Sequence, residues 1–500
     1  MQASQPAAAP ATAGQSPNRK WMWLVIATLV MVIILLLPTP ASLPVVGQRT
    51  LAILAFAVIL WVTEAVSYPV SAALIIGLIS LLCGLAPNPD APGKLLGTKT
   101  ALGWALGGFS NSAALLVAGA LFLSVAMQVT GLDKRIALLI LSKVGSRTKA
   151  VLIGSFIVGI VLAFFVPSTT ARVGAIVPIM LGMVAAFGLP KESRLAAMLM
   201  IATTQVASIW NIGIKTAAAQ NMVAIGFMEE TFGISVTWGQ WLLYAGPWAV
   251  IMTIVLYFVM LRVLPPEVEE IPNGQQMIRD ELSRLGPMTG AEKRLIVIAL
   301  ALLFLWATEG IVHDLDTTTT TLAAVAVMLT PGIGVMNWKQ AEAKVPWGTI
   351  VMFSVGISLG TTLLKTNAAT WLADAFIDAT GLKAMPVLAM IAMLSLFNIV
   401  IHFGFASATS LSSTLIPVVI AMMTSMNRPD VPPLAMVLIQ QFVVSFGFIL
   451  PVNAPQNMLA YGTGTFTARD LMRTGIPLTI IGYALIMLFA ATYWNWVGLL

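Results

Sequence analysis

Phe164–Met180 reads FFVPSTTARVGAIVPIM. It sets a proline, three hydroxyl side chains and Arg172 inside an apolar run. An arginine at bilayer depth costs roughly 2.5–3.5 kcal/mol on insertion scales, so its presence asks for a reason. A second stretch, Phe405–Pro417, reads FASATSLSSTLIP. Ser168, Thr170 and Pro178 in the first have the spacing of Ser407, Thr409 and Pro417 in the second. Each patch interrupts an apolar stretch, about 149–187 and about 384–427, long enough to enter a membrane and return. Broken backbone at that depth is tolerated only under cover of protein or beside a watery cavity. Both stretches are therefore read as re-entrant hairpins. Their tips are Pro167–Arg172 and Phe405–Ser410.

The rest of the chain fits that reading. Of its 500 residues, 58% are hydrophobic and 9% charged, against about 25% charged in soluble proteins. The expected fold class is an all-α polytopic membrane protein. Eleven further apolar segments are read as spans, near 21–37, 50–68, 70–86, 104–130, 194–227, 240–262, 295–312, 317–335, 347–372, 431–462 and 474–498. Residues 1–18, rich in Ala, Pro and Gln, read as a disordered tail. Residues 19–49 hold the first helix and its loop; a cleaved signal peptide there is the weaker alternative, because the n-region is long.

With the N-terminus in the cytoplasm, eighteen of the 26 Lys and Arg residues fall on the cytoplasmic side and five outside. That bias follows the positive-inside rule. It also accounts for the net charge of +6 without a nucleic-acid partner. The C-terminus then lies outside. Cys83 is the sole cysteine, and His313 and His402 are the two histidines. Neither a disulfide nor a Cys/His metal cluster is expected, and no cofactor or catalytic constellation assembles.

The two halves echo each other. Trp61–Glu64 matches Trp306–Glu309, and Thr130-Gly131 matches Thr366-Asn367. Asn221 and Asn457 follow the two tip serines at similar intervals, and Thr237 and Thr467 precede matching Gly and Pro residues. With the tip spacing and the tryptophans Trp104 and Trp347 at the starts of corresponding apolar helices, these make six matches in one order, hard to obtain by chance. They divide the chain into a repeat over 50–263, a polar linker over 264–292 and a second repeat over 293–500. Each repeat has five spans and a hairpin. An odd number inverts the second copy, the arrangement of secondary transporters whose substrate sits at the midplane.

Candidate site residues lie at the tips and in a broken span of each repeat. The tips offer Ser168, Thr169, Thr170 and Arg172, and Ser407, Ala408 and Thr409. Hydroxyls at helix starts cap the helix and can donate to an anion, although Ser and Thr also serve close helix packing. Broken span Trp210–Asn221 offers Lys215 and Asn221; Pro451–Asn457 offers Asn453, Pro455 and Asn457. His402 is a further candidate. Arg172 supplies a planar fork that matches a carboxylate. For Glu64 and Glu309, a structural hydrogen bond to the neighbouring hairpin is favoured over ion coupling. A channel would show a polar stripe along several spans, and polarity is confined here to tips and breaks.

This pattern resembles the divalent anion/sodium symporter family, whose hallmark is a Ser-Asn-Thr triplet at each tip. The triplets here are Ser168-Thr169-Thr170 and Ser407-Ala408-Thr409, so both asparagines are replaced. The first tip, with Pro before the serine and Ala-Arg after the threonine, looks like the citrate/succinate and oxoglutarate/malate exchanger branch. The resemblance implies a homodimeric elevator in the bacterial inner membrane that exchanges di- or tricarboxylates without sodium. It also implies arms at Leu132–Lys149 and Asn367–Lys383. A sodium-coupled dicarboxylate or sulfate symporter is the nearest alternative.

Overall fold

The computed structural model describes residues 17–91, 93–186, 188–270 and 274–500. The expected tail lies outside the described residues up to residue 16. Every named element is a helix. The chain opens with α1 (Pro17–Leu36), α2 (Val45–Thr63), α3 (Tyr68–Leu78), α4 (Thr98–Leu106) and α5 (Ser112–Thr130). An amphipathic helix, α6 (Leu132–Val144), precedes the first hairpin, α7 (Thr148–Phe165) and α8 (Thr169–Ala186). Then come α9 (Arg194–Gly213), α10 (Ala219–Phe232), α11 (Trp238–Val263) and the linker helix α12 (Gly274–Arg284). The second half runs α13 (Gly290–Thr308), α14 (Thr317–Leu329), α15 (Trp338–Lys344), α16 (Trp347–Lys365) and α17 (Ala368–Thr380). Its hairpin is α18 (Val387–His402) and α19 (Ala408–Met426), followed by α20 (Pro433–Val444), α21 (Pro455–Tyr461), α22 (Ala468–Ala491) and α23 (Tyr493–Trp496).

Among the described residues, nine helices are long and apolar enough to cross a membrane. They include α7 and α19, which turn back at the tips. Burial separates centre from rim. All of the spanning window of α9 is buried, against 11% for α1, so α9 lies in the core and α1 presents an apolar surface outward.

Three expected spans are altered. The segment 104–130 is two helices, not one. Gly108 is the reason: its N–H donates to Ser358 Oγ at 2.9 Å, and a Cβ there would meet Ser354 O at 1.9 Å. The chain turns at this contact, and Asn111 caps α5 by accepting from Ala113 N–H at 2.9 Å. The segment 317–335 is helical only to Leu329. In the segment 347–372 the helix ends at Lys365, and the chain goes on after Asn367 as α17.

The same local geometry occurs at several matched places. Trp61 Nε1 donates to Ser71 Oγ at 3.3 Å, and Trp306 Nε1 to Thr321 Oγ1 at 3.2 Å. Gly131 and Asn367 both adopt left-handed φ, at 74° and 58°, where a long helix hands over to α6 or α17. Thr237 and Thr467 both form capping boxes, with Gln240 and Asp470.

The hairpins enter from opposite ends of the bundle. The base of the first touches the linker: Thr148 N–H donates to Glu269 O at 3.0 Å and Thr148 Oγ1 to Val268 O at 2.7 Å. Beside it, Glu267 accepts the Arg194 and Leu195 N–H groups at the start of α9. At the second base, Arg428 Nη1 donates to Met385 O at 2.6 Å. From there α20 and α21 run back to Gly464, beside Lys191 at the linker end. The second base is therefore at the far end, and the two tips point toward each other.

Candidate functional site

A cavity of about 950 Å³ lies where the tips meet, a size suited to a small ligand. Pro167, Ser168, Thr169 and Thr170 line it from the first tip; His402, Ser407, Ala408 and Thr409 line it from the second. Asn453, Ala454, Pro455 and Gln456 come from the break between α20 and α21, and Asn211, Ala219 and Gln220 from the two sides of the break between α9 and α10. The wall opposite is α5, with Leu121, Ser124, Val125 and Gln128, together with Tyr68. Lys20, Glu64 and Lys344 also line the cavity and are exposed, marking its mouth.

Helix starts decide which hydroxyls are free. Ser168 Oγ accepts from Ala171 N–H at 3.3 Å and Ser407 Oγ from Ser410 N–H at 3.4 Å. Each cap uses a lone pair, which leaves the Ser168 O–H proton available to a ligand, while Ser407 also interacts with the Tyr68 hydroxyl across the cavity. Thr170 and Thr409 have no side-chain partner among the described residues and also line the cavity. Thr169 differs, because its Oγ1 donates to Asn211 Oδ1 at 2.8 Å. Ala408 offers no donor.

Four expected ligands stand away from the cavity wall. Arg172 is fully buried behind the first tip. Its Nη1 donates to Val166 O at 2.7 Å and Ala217 O at 2.9 Å, and its Nη2 to Asn211 Oδ1 at 2.5 Å. The fork thus ties the hairpin tip to the broken span. Lys215 reaches away to Val236 O at 2.7 Å. Asn221 donates to Asn211 O at 2.7 Å, and Asn457 to Gly447 O at 2.8 Å. Each bridges ten residues back across its own break and satisfies a carbonyl that the helix abandons. The two amides are staples, and neither lines the cavity.

Asn453 lines the cavity with its amide engaged, donating to His402 O at 2.9 Å and Phe405 O at 3.3 Å and accepting from Leu450 N–H at 3.2 Å. His402 Nε2 lies 3.3 Å from Asn453 O, while Nδ1 is buried without a partner among the described residues. Glu309 accepts from Thr317 at the start of α14, not from a hairpin as expected. Sequence reasoning missed Asn211, Gln220 and Gln456. The available signal was position, since Asn211 stands ten residues before Asn221.

The electrostatics are one-sided. Arg172 and Lys215 are 0% and 2% exposed. Neither forms an ion pair among the described residues. A buried charge without a partner is costly. The face in front of Arg172 is a wall of hydroxyls, amides and helix starts, and that wall suits an anion.

The family model for the sodium:sulfate symporter transmembrane region matches residues 18–500. The chain belongs to this family. It is an integral membrane protein of a transporter family, not an enzyme. A membrane protein of Cupriavidus necator is 50% identical over 97% of this chain and 94% of its own length. A citrate/succinate antiporter of Escherichia coli is 27% identical over 93% of this chain and 96% of its own. A sodium-dependent dicarboxylate transporter of Staphylococcus saprophyticus is 25% identical over 93% and 89%. The YdaH transporter of Alcanivorax borkumensis has a related fold, with TM-score 0.55 at 13% identity over 87% of this chain and 98% of that one. Within the symporter family, the tips of this chain carry Thr169 and Ala408 between their Ser and Thr.

Proposed function

We propose that this member of the family carries dicarboxylates across the bacterial inner membrane by sodium-independent exchange. The observation that carries the reading is Arg172: a fully buried cation with no carboxylate partner among the described residues, one side chain behind a cavity rich in anion donors. A bound dianion supplies the missing negative charge. Ser168 and Thr170 serve one carboxylate and Ser407 and Thr409 the other. The similarity to a citrate/succinate antiporter supports the substrate class. The similarity to a sodium-dependent dicarboxylate transporter favours symport as the competing reading.

A fixed cation cannot leave the protein. The empty carrier holds unpaired positive charge, and taking it across the membrane is costly. Reorientation in the loaded state alone produces obligatory exchange. In this reading the halves are inverted repeats, and the hairpins with α9, α10, α20 and α21 form a moving unit in a homodimer. α6 and α17 brace that unit. The N-terminus is cytoplasmic and the C-terminus outside, so the mouth at Lys20 and Lys344 faces the cytoplasm.

Purified protein in liposomes tests the mode. Labelled succinate should enter vesicles preloaded with unlabelled dicarboxylate, equally in sodium and choline, and should not enter empty ones. Strong sodium-driven uptake into empty vesicles overturns exchange.

A further inference from the structure

We propose that Asn211, at the end of α9, contacts the substrate directly, and that Arg172 and Thr169 lock its amide with the N–H groups facing the anion. The inference rests on the reading of the cavity as the anion site. A guanidinium only donates. The Asn211 atom 2.5 Å from Arg172 Nη2 is therefore the carbonyl oxygen, and the same oxygen accepts from Thr169 Oγ1 at 2.8 Å. The opposite flip would press amide protons against a buried cation. Nδ2 is consequently the outward end. It has no partner among the described residues, and Asn211 is 4% exposed, on the cavity wall. The backbone is held as firmly: Asn211 O accepts from Asn221 Nδ2 at 2.7 Å.

The second half lacks this device. The matching staple there, Asn457 Nδ2 to Gly447 O at 2.8 Å, ends on a glycine with no side chain to offer. The cavity therefore has an amide end at Asn211, with the Arg172 charge behind it, and a hydroxyl end at Ser407 and Thr409. Arg172 acts on the substrate through Asn211 and is a positioning residue.

Asn211→Asp, read together with Asn211→Ala, separates this role from a structural one. The aspartate keeps an oxygen toward Arg172 and Thr169 and replaces the N–H groups with an acceptor. The aspartate also gives Arg172 a carboxylate partner, so a rise in half-saturation in Asn211→Asp counts for direct contact only where Asn211→Ala, which leaves the Arg172 charge unpaired, moves the same way. The expected result is a folded protein melting at or above the wild-type temperature. Its half-saturation for succinate in counterflow should rise at least about tenfold, the size of losing a hydrogen bond to a charged group, with a smaller change in maximal rate. Asn211→Ala should move half-saturation the same way by less. If the aspartate variant does not fold, the alanine variant decides. Wild-type half-saturation in a folded variant overturns the inference.

Succinate and sulfate are both tried on the wild type, by counterflow and by thermal shift. Binding of sulfate alone sinks the dicarboxylate reading, while weaker sulfate binding by the variants still supports Asn211 as donor. Succinate binding unchanged by the variants leaves the reading intact and removes Asn211. Binding of neither anion overturns both.

Discussion

Arg172 donates most closely to Val166 O, Ala217 O and Asn211 Oδ1, with Thr169 Oγ1 and Ala207 O at 3.4 Å. The Val166 and Ala217 carbonyls lie at broken helix ends that water cannot reach, and an unsatisfied buried acceptor costs about 1–3 kcal/mol. Arg172→Ala should therefore lower the melting temperature as well as abolish transport. Arg172→Lys keeps the charge but cannot span the same acceptors, since an ammonium has no planar fork. It should remain folded, with transport reduced at least about tenfold for the loss of a charge-assisted contact. Size-exclusion melts and counterflow on the same preparations check both. A lysine variant with wild-type transport would show that charge alone is needed.

At the scale of elements, the linker fastens one half of the chain to the other. Arg135 on α6 pairs with Glu292 at the start of α13 at 2.5 Å and donates to Gly286 O at 3.0 Å. Lys134 meets Glu281 on α12 at 3.1 Å. Glu281, on the polar linker, is held below the usual carboxylate range by the Lys134 hydrogen bond and charge. This pair, its side chains 45% and 30% exposed, is worth little. The Arg135–Glu292 pair is different, with side chains 8% and 3% exposed. Removing one partner of such a pair costs roughly 3–5 kcal/mol, because the other charge stays buried. Glu292→Ala also loses the Thr289 capping box, and the purified variant should melt well below wild type. Lys134→Ala should melt within a degree or two of wild type, as expected for a solvent-screened pair; equal effects of the two changes would contradict the assignment.

For the whole molecule, the mouth lined by Lys20 and Lys344 defines one direction of access. Gln128 on α5 faces the cavity, while the sole cysteine, Cys83, is 0% exposed. Gln128→Cys should therefore react with a membrane-impermeant thiol reagent from the cytoplasmic side of oriented vesicles, and saturating succinate should slow the reaction. Labelling from the opposite side alone would reverse the proposed orientation.

Fold class and hairpins are legible in the sequence, because lipid demands long apolar helices and forbids uncovered breaks. The polar patches at Ser168 and Ser407 marked both tips, and the spacing of Asn221 and Asn457 marked both broken spans. The direction in which a side chain points is not legible. Arg172 and Thr169 share a tip, yet one lies behind the wall and the other on it, because helix phase and the carbonyls of Val166 and Ala217 decide the rotamer. The split at Gly108 is likewise invisible in an apolar run; the close approach of Ser354, far along the chain, imposes it. Local composition determined what must be buried and where helices must break. Only the tertiary structure decided which broken end meets which donor, since those partners lie up to hundreds of residues apart.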